Sequence, residues 1–223
     1  MSTLRLWGRA NSGNVQKPMW LLDEIGINYE RLNVGGSFGG TDTRAYLAMN
    51  PNARVPVLED GDTIIWESNT IVRYLAAVYG GERFWIAAPD KRATAEMWMD
   101  WAVTTLKPQV TTFFHAAVRT PLNDQNPAHI DMLSKGSIKV LALINQHLKK
   151  TGQDWISGDQ LSIGDIPIGT QLFRYFDTNP ERPAMPYLEA YYARMCKRTA
   201  YRDNVMVSYD DLIGVPPFSQ IKS

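Results

Sequence analysis

One cysteine in 223 residues, Cys196, leaves no partner for an intrachain disulfide and fits a reducing cytoplasm. Histidine is nearly as scarce. His115, His129 and His147 are scattered, with no His-Glu-x-x-His or paired-cysteine spacing, so no metal site is expected. An excess of one charge is missing too: Lys plus Arg and Asp plus Glu number 23 each, which gives no global pull toward nucleic acid or anionic lipid. No stretch approaches the ~18 consecutive apolar residues of a membrane helix. The short apolar start before polar Asn11 to Gln16 is too little for the core of a signal peptide. The glycines at 35, 36, 39 and 40 lack the Gly-Lys-Ser/Thr ending of a phosphate loop, and no Gly-x-Ser-x-Gly elbow occurs. What remains is a soluble globular protein, long enough for one large domain or two small ones.

The chain changes character near residues 80 to 90. Before Gly80-Gly81, strand-like and helix-like segments alternate. Leu4–Trp7 reads as a strand, and 15–25 as a helix with Val15, Met19 and Leu22 on one face. Gly26 stands where a left-handed cap is wanted. Tyr29–Val34 is a second strand, Gly35 to Gly40 a mobile loop, and Asp42–Ala48 a short helix. Val55–Leu58 and Thr63–Trp66 flank the hairpin signal Glu59-Asp-Gly-Asp62, and Ser68–Tyr79 is helical. From Asp90 strand signals fade. Helices are expected over 91–118 with a kink at Pro108, and over 128–150, 163–177 and 186–199. Leu161-Ser-Ile-Gly-Asp-Ile166 has the form of a capping box, with Ser162 as cap and Asp165 as its acidic partner. The expected fold is an α/β domain over 1–81 (order βαβαββα), a linker over 82–89, and an all-α domain over 90–223.

The segment Arg9-Ala-Asn-Ser-Gly-Asn-Val-Gln-Lys17 joins the first strand to the first helix. Free N–H groups and the helix dipole make such an end attractive to an anion, and a thiolate is one candidate. Pro18 fixes the geometry, because proline is tolerated only in a helix's first turn. The helix therefore starts no earlier than about Gly13, which keeps Ser12 just outside it. A thiol of pKa ~8.5 is mostly protonated at neutral pH. Lowering that pKa by about two units requires ~2.7 kcal/mol. A helix end supplies up to ~2 kcal/mol when partly buried, and one hydrogen bond to a charged sulfur adds ~1.5–3 kcal/mol. The sum suffices without a general base. Ser and Asn are also the commonest helix caps, so the segment alone does not decide for chemistry.

Three motifs decide together. Ser12-Gly-Asn14-x-x-Lys17, Asn50-Pro-Asn-Ala-Arg-Val-Pro56 and Trp66-Glu-Ser68 resemble the cytosolic glutathione transferase family, in the manner of bacterial members of the nu or theta-related type. The resemblance implies a thioredoxin-like first domain followed by a helical one. It implies glutathione as co-substrate, with the Ser12 hydroxyl or the Asn14 amide donating to its sulfur. Val55 would pair with the cysteinyl backbone ahead of a cis Pro56. Glu67 and Ser68 would hold the γ-glutamyl end, while Arg54, Arg44 and Lys17 would face the other carboxylate. Ala53 stands where related sequences carry glycine. Trp7 rather than tyrosine ends the first strand, and no cysteine precedes Cys196, so tyrosine-type and cysteine-type centres are disfavoured; Cys196 itself reads as buried and inert.

Trp7, Phe113, His115 and Arg119 are the candidates for an electrophile pocket, although aromatic residues at helical spacing more often belong to a core. Met97 and Trp101, four apart, share a face expected to look toward the first domain or a second subunit. The implied reaction is addition of the thiolate to a hydrophobic electrophile in a cytoplasmic homodimer. The alternatives are glutathione-dependent reduction of a peroxide or disulfide at the same site, and non-catalytic binding of glutathione or another ligand. Neither a nucleic-acid nor a membrane partner is expected.

Overall fold

A computed structural model describes residues 4–179 and 181–217. In the first half, β1 (Leu4–Trp7), α1 (Gln16–Ile25), β2 (Tyr29–Leu32), α2 (Arg44–Met49), β3 (Val57–Asp60), β4 (Thr63–Trp66) and α3 (Ser68–Tyr79) follow in the expected order. The strands form one mixed sheet, β2-β1-β3-β4, in which β1 runs parallel to β2 and antiparallel to β3. Strand alternation divides β1 between two faces. Leu4 and Leu6 enter the main core with α1 and α3, whereas Trp7 joins a small cluster of Val34, Tyr46 and Val57 beneath α2. β3 begins two residues later than expected because Pro56 has no N–H for the ladder. The glycine loop is organised, with a 3-10 turn at Gly36–Phe38 and the Gly35 N–H donating to Gly39 O at 2.7 Å.

The second half is helical: α4 (Gly81–Phe84), α5 (Pro89–Trp101), α6 (Lys107–Phe114), α7 (Pro127–Thr151), α8 (Asp165–Thr178), α9 (Pro186–Cys196) and α10 (Thr199–Asn204). The single helix expected over 91–118 is interrupted by two π-helical segments, Ala102–Leu106 and His115–Arg119. The first lies immediately before Pro108, and the wider turn accommodates the proline ring and its missing donor. α8 is buried from Asp165 to Leu172 and packs against α1, α5 and α6. It approaches α1 at Gly169, where a Cβ would stand 2.6 Å from the Trp20 ring. One continuous core therefore spans both halves.

The capping box before α8 forms only in part. Asp165 Oδ2 accepts from the Ser162 N–H and hydroxyl, each at 2.7 Å, but the Ser162 oxygen accepts from Gly164 N rather than from the helix. Asp165 instead becomes a buried hub, taking the Ile156 N–H at 2.9 Å and the Tyr191 hydroxyl at 2.6 Å as well. Met97 is 61% exposed, while Trp101 packs edge-on against Trp98. Cys196 is half-buried rather than enclosed, and burial pushes its thiol pKa up. Among the described residues no helix is long and apolar enough to cross a membrane.

Candidate active site

Strand register assembles the three motifs. Trp7, Val57 and Trp66 lie in one row across β1, β3 and β4. The residues just beyond that row are Gly8 leading to Ser12, Val55-Pro56, and Glu67-Ser68, so all three motifs leave the sheet at one edge. Gly8, at φ +153°, lets them close up: a Cβ there would lie 2.4 Å from Val15 Cγ2 and 3.3 Å from Val55 Cβ.

At the start of α1 the Ser12 carbonyl accepts from the Val15 and Gln16 N–H groups, so the helix is primed by a turn over 12–15. Ser12 is buried at 9% exposure, and neither its hydroxyl nor the N–H groups of Gly13 and Asn14 make a hydrogen bond among the described residues. The helix has no side-chain cap. Ser12 and Asn14 are thus not ordinary capping residues, and their donors are available for a guest. Asn14 is oriented by the helical half: Lys107 Nζ donates to Asn14 Oδ1 at 3.1 Å, which leaves the amide N–H₂ as the outward function.

The Val55-Pro56 peptide is cis. Val55 lies outside the ladder, which begins at Val57. The loop before it is held by Tyr46 Oη and Asn50 Nδ2, both donating to the Arg54 carbonyl at 2.8 Å, with Arg54 itself exposed. Ala53 sits at φ +52°, a left-handed conformation in which glycine is at ease, so the path is kept without the glycine. Glu67 is held at φ +72°, outside the usual wells for a side-chain-bearing residue. It is exposed at the row's end and precedes α3 without a side-chain cap.

One expectation is corrected here: Lys17 is not a surface cation awaiting a carboxylate. Lys17 is 1% exposed and donates to Ser68 Oγ at 3.1 Å and Asn69 Oδ1 at 3.2 Å, joining the first turns of α1 and α3. Asn69 Nδ2 in turn donates to Met99 O on α5. Burial, with Lys107 nearby, lowers the Lys17 pKa to about 7, against the opposing pull of Glu67.

The electrophile side departs from expectation at Trp7 and Phe113. Trp7 does not line it: its indole donates to Glu59 Oε2 at 2.7 Å and meets Tyr46 edge-on below the sheet. Phe113 is a core residue packed near Tyr175. Arg119 anchors the C-terminal segment, donating through Nε to Val215 O at 2.8 Å and through Nη2 to Pro216 O at 3.3 Å. His115 is half-buried, and burial with Arg119, Arg174 and Lys107 lowers its pKa to about 4, so it is neutral at physiological pH. Sequence reasoning missed Lys107 and Arg174. Arg174 lies over the Phe114 ring, 4.8 Å from its centroid, and donates to Asn11 O at 2.5 Å. Nothing local marks either one, since both reach the site from distant helices.

This geometry has relatives. The family model for glutathione S-transferase N-terminal domains matches residues 2–77, and that for the C-terminal domain matches 127–194. The chain is 41% identical over 206 residues to glutathione S-transferase GstB of Escherichia coli K12, covering 92% of this chain and 98% of that one. Glutathione S-transferase 3 of Zea mays is 27% identical over 97% of both chains. The glutathione-bound theta class enzyme of Xanthomonas axonopodis pv. citri superposes with a TM-score of 0.87 at 42% identity, covering 93% of this chain and 99% of that one. With both domain models matched and such identity over nearly its whole length, the chain belongs to the glutathione S-transferase family.

Proposed function

We propose that this protein is a glutathione transferase that binds glutathione at the sheet edge, keeps its sulfur ionised, and delivers it to an electrophilic small molecule. The carrying observation is that one row of the sheet gathers three complementary functions. The start of α1 offers unbonded N–H groups and the Ser12 hydroxyl, Val55 offers an unpaired strand edge, and Glu67 with the first turn of α3 offers an anion beside N–H donors. These match in order a thiolate, a cysteinyl backbone, and an amino acid end bearing both charges. Ser12 Oγ and Asn14 Nδ2 are the donors to sulfur, Lys107 positions Asn14, and Arg54 borders the glycyl end. The thiol proton leaves to solvent on binding. Sulfur then forms the new bond to carbon while the leaving group departs with its electron pair.

We take 1–81 as the glutathione-binding domain and 90–223 as the helical domain, with 82–89 as the linker between them. Exposed Leu47, Ile64, Trp66, Met97 and Val103 support a homodimer in which the two halves of neighbouring subunits meet. We place the protein in the cytoplasm with its thiol-reducing pool. Calorimetry with glutathione, followed by conjugation of an activated aryl chloride, tests the function. Uptake with formation of a glutathionyl product is expected, and uptake without product would reduce the reading to a binding protein. A parallel peroxide assay registers reduction at the same site.

A further inference from the structure

The electrophile side of the cleft is cationic rather than greasy. Arg9, Lys107, Arg119 and Arg174 are all half-buried there, and among the described residues none forms an ion pair. Asn11 is their meeting point. Its carbonyl takes Arg174 Nη2, its Oδ1 takes Arg9 Nη1, and its Nδ2 donates to Asp211 Oδ1 at 2.5 Å. Arg174 also passes the start of α1, with Nη1 3.5 Å from where a Gly13 Cβ would stand.

The four cations feel one another. Arg9 and Arg119 each lower the Arg174 pKa, Arg174 lowers that of Lys107, and burial depresses all four. Asp211 and Glu67 oppose them, with Tyr209 acting on Arg174, and each carboxylate faces more than one cation. Half-buried like charges with neutral hydrogen-bond partners and no ion pair are unfavourable, and an anion placed among them relieves both the repulsion and the desolvation. The thiolate beside Asn14 engages Lys107. Arg9 and Arg174 meet at Asn11, three residues before Asn14, with Arg119 close enough to act on both, and their planar forks suit a carboxylate.

We infer that the electrophile carries a carboxylate, bound by Arg9, Arg119 and Arg174 while its reactive carbon faces the glutathione sulfur. This rests on the transferase reading and replaces the hydrophobic electrophile expected from the sequence. The step balances without a redox partner: the thiolate pair forms the C–S bond, and a halide leaves with the C–halogen pair.

The test compares 4-chloro-3-nitrobenzoate with its methyl ester, which share a reacting carbon and differ in charge. Each kcat/KM is divided by the uncatalysed rate with glutathione. The acid is expected to be favoured by about ten-fold or more, the scale of one charge-assisted contact. Raising the salt should increase KM for the acid and leave that for the ester in place. Arg119→Met and Arg9→Met should collapse the acid-to-ester ratio, and Arg119→Lys should retain most of it. Should Arg119→Met fail to fold through loss of its tail contacts, Arg9→Met and the salt series on the unmodified protein still decide. A ratio of one or below overturns this inference, and turnover of the ester then leaves the transferase reading standing. Conjugation of another activated aryl chloride with no turnover of either compound overturns this inference alone; uptake with no turnover of any aryl chloride, or absence of uptake, overturns both.

Discussion

Lys107 Nζ of α6 stands 3.1 Å from Asn14 Oδ1 at the start of α1, so a cation from the helical half sets the amide that we assign to the glutathione sulfur. With its oxygen held by the ammonium, Asn14 can present only its N–H₂ group. Asn14→Asp keeps the partner of Lys107 but replaces the donor by an anion beside sulfur. The bound thiol should then titrate higher than in the unmodified protein, with kcat/KM falling by about ten-fold to a hundred-fold. Lys107→Met should give a smaller fall in the same direction, read from the same pH–rate profile.

Ser12 separates chemistry from folding. Its hydroxyl makes no internal hydrogen bond among the described residues, while its carbonyl, which primes α1, survives any side-chain change. Ser12→Ala should therefore leave the unfolding free energy from urea titration within about 0.5 kcal/mol of wild type. It should lower kcat for an activated aryl chloride by about ten-fold to a hundred-fold through loss of one charged hydrogen bond.

Lys17 gives a pH signature in stability. Its pKa is near 7 when folded, below the ordinary value of 10.5 that it regains on unfolding. Between those values the unfolded chain binds the extra proton, so stability rises with pH. The slope is at most ~1.4 kcal/mol per pH unit above about pH 7. Urea unfolding from about pH 7 to about pH 9 should show this rise, and Lys17→Met should remove it.

Glu67 holds a backbone conformation that a side-chain-bearing residue adopts at a cost of ~1–3 kcal/mol. Its φ of +72° is acceptable to glycine. Glu67→Gly should raise the thermal midpoint by a few degrees, after subtracting the ~0.5–1 kcal/mol that glycine adds to the unfolded chain's entropy. Glutathione affinity should fall at the same time, because the carboxylate proposed to meet the γ-glutamyl amine is removed. Differential scanning calorimetry with and without glutathione reads both.

Asp165 carries fold and no chemistry. Asp165→Ala strands the Ile156 and Ser162 N–H groups and the Tyr191 hydroxyl in the core. Each orphaned donor costs ~1–3 kcal/mol. Denaturant titration should show a loss above about 3 kcal/mol, and Asp165→Asn a lesser one.

The local signals were legible in the sequence. Pro18 placed the start of α1, Gly26 does end it in a left-handed cap, and the Glu59–Asp62 turn joins β3 to β4. The edge where Ser12, Val55 and Glu67 gather was legible through the resemblance, because the spacing along the chain carries the register. Residues that join the site from far away in sequence were not. Lys107 and Arg174 look like ordinary polar positions on their helices, and only packing of α8 against α1, and of α6 against α8, turns them inward. Lys17 misled for the reverse reason, since a lysine in a first turn is normally solvated and this one is roofed by α3. Trp7 and Phe113 show that aromatic type does not tell a pocket wall from a core. The strand pleat sent Trp7 under the sheet, and the α6–α8 contact enclosed Phe113.

The most direct measurement is the ultraviolet titration of the glutathione thiolate in the complex with the unmodified protein. The amino end of α1, with Ser12 and Asn14, should hold the bound thiol about two pH units below its free value of ~8.5. Saturable binding of glutathione whose thiol still titrates at the free value would contradict the account.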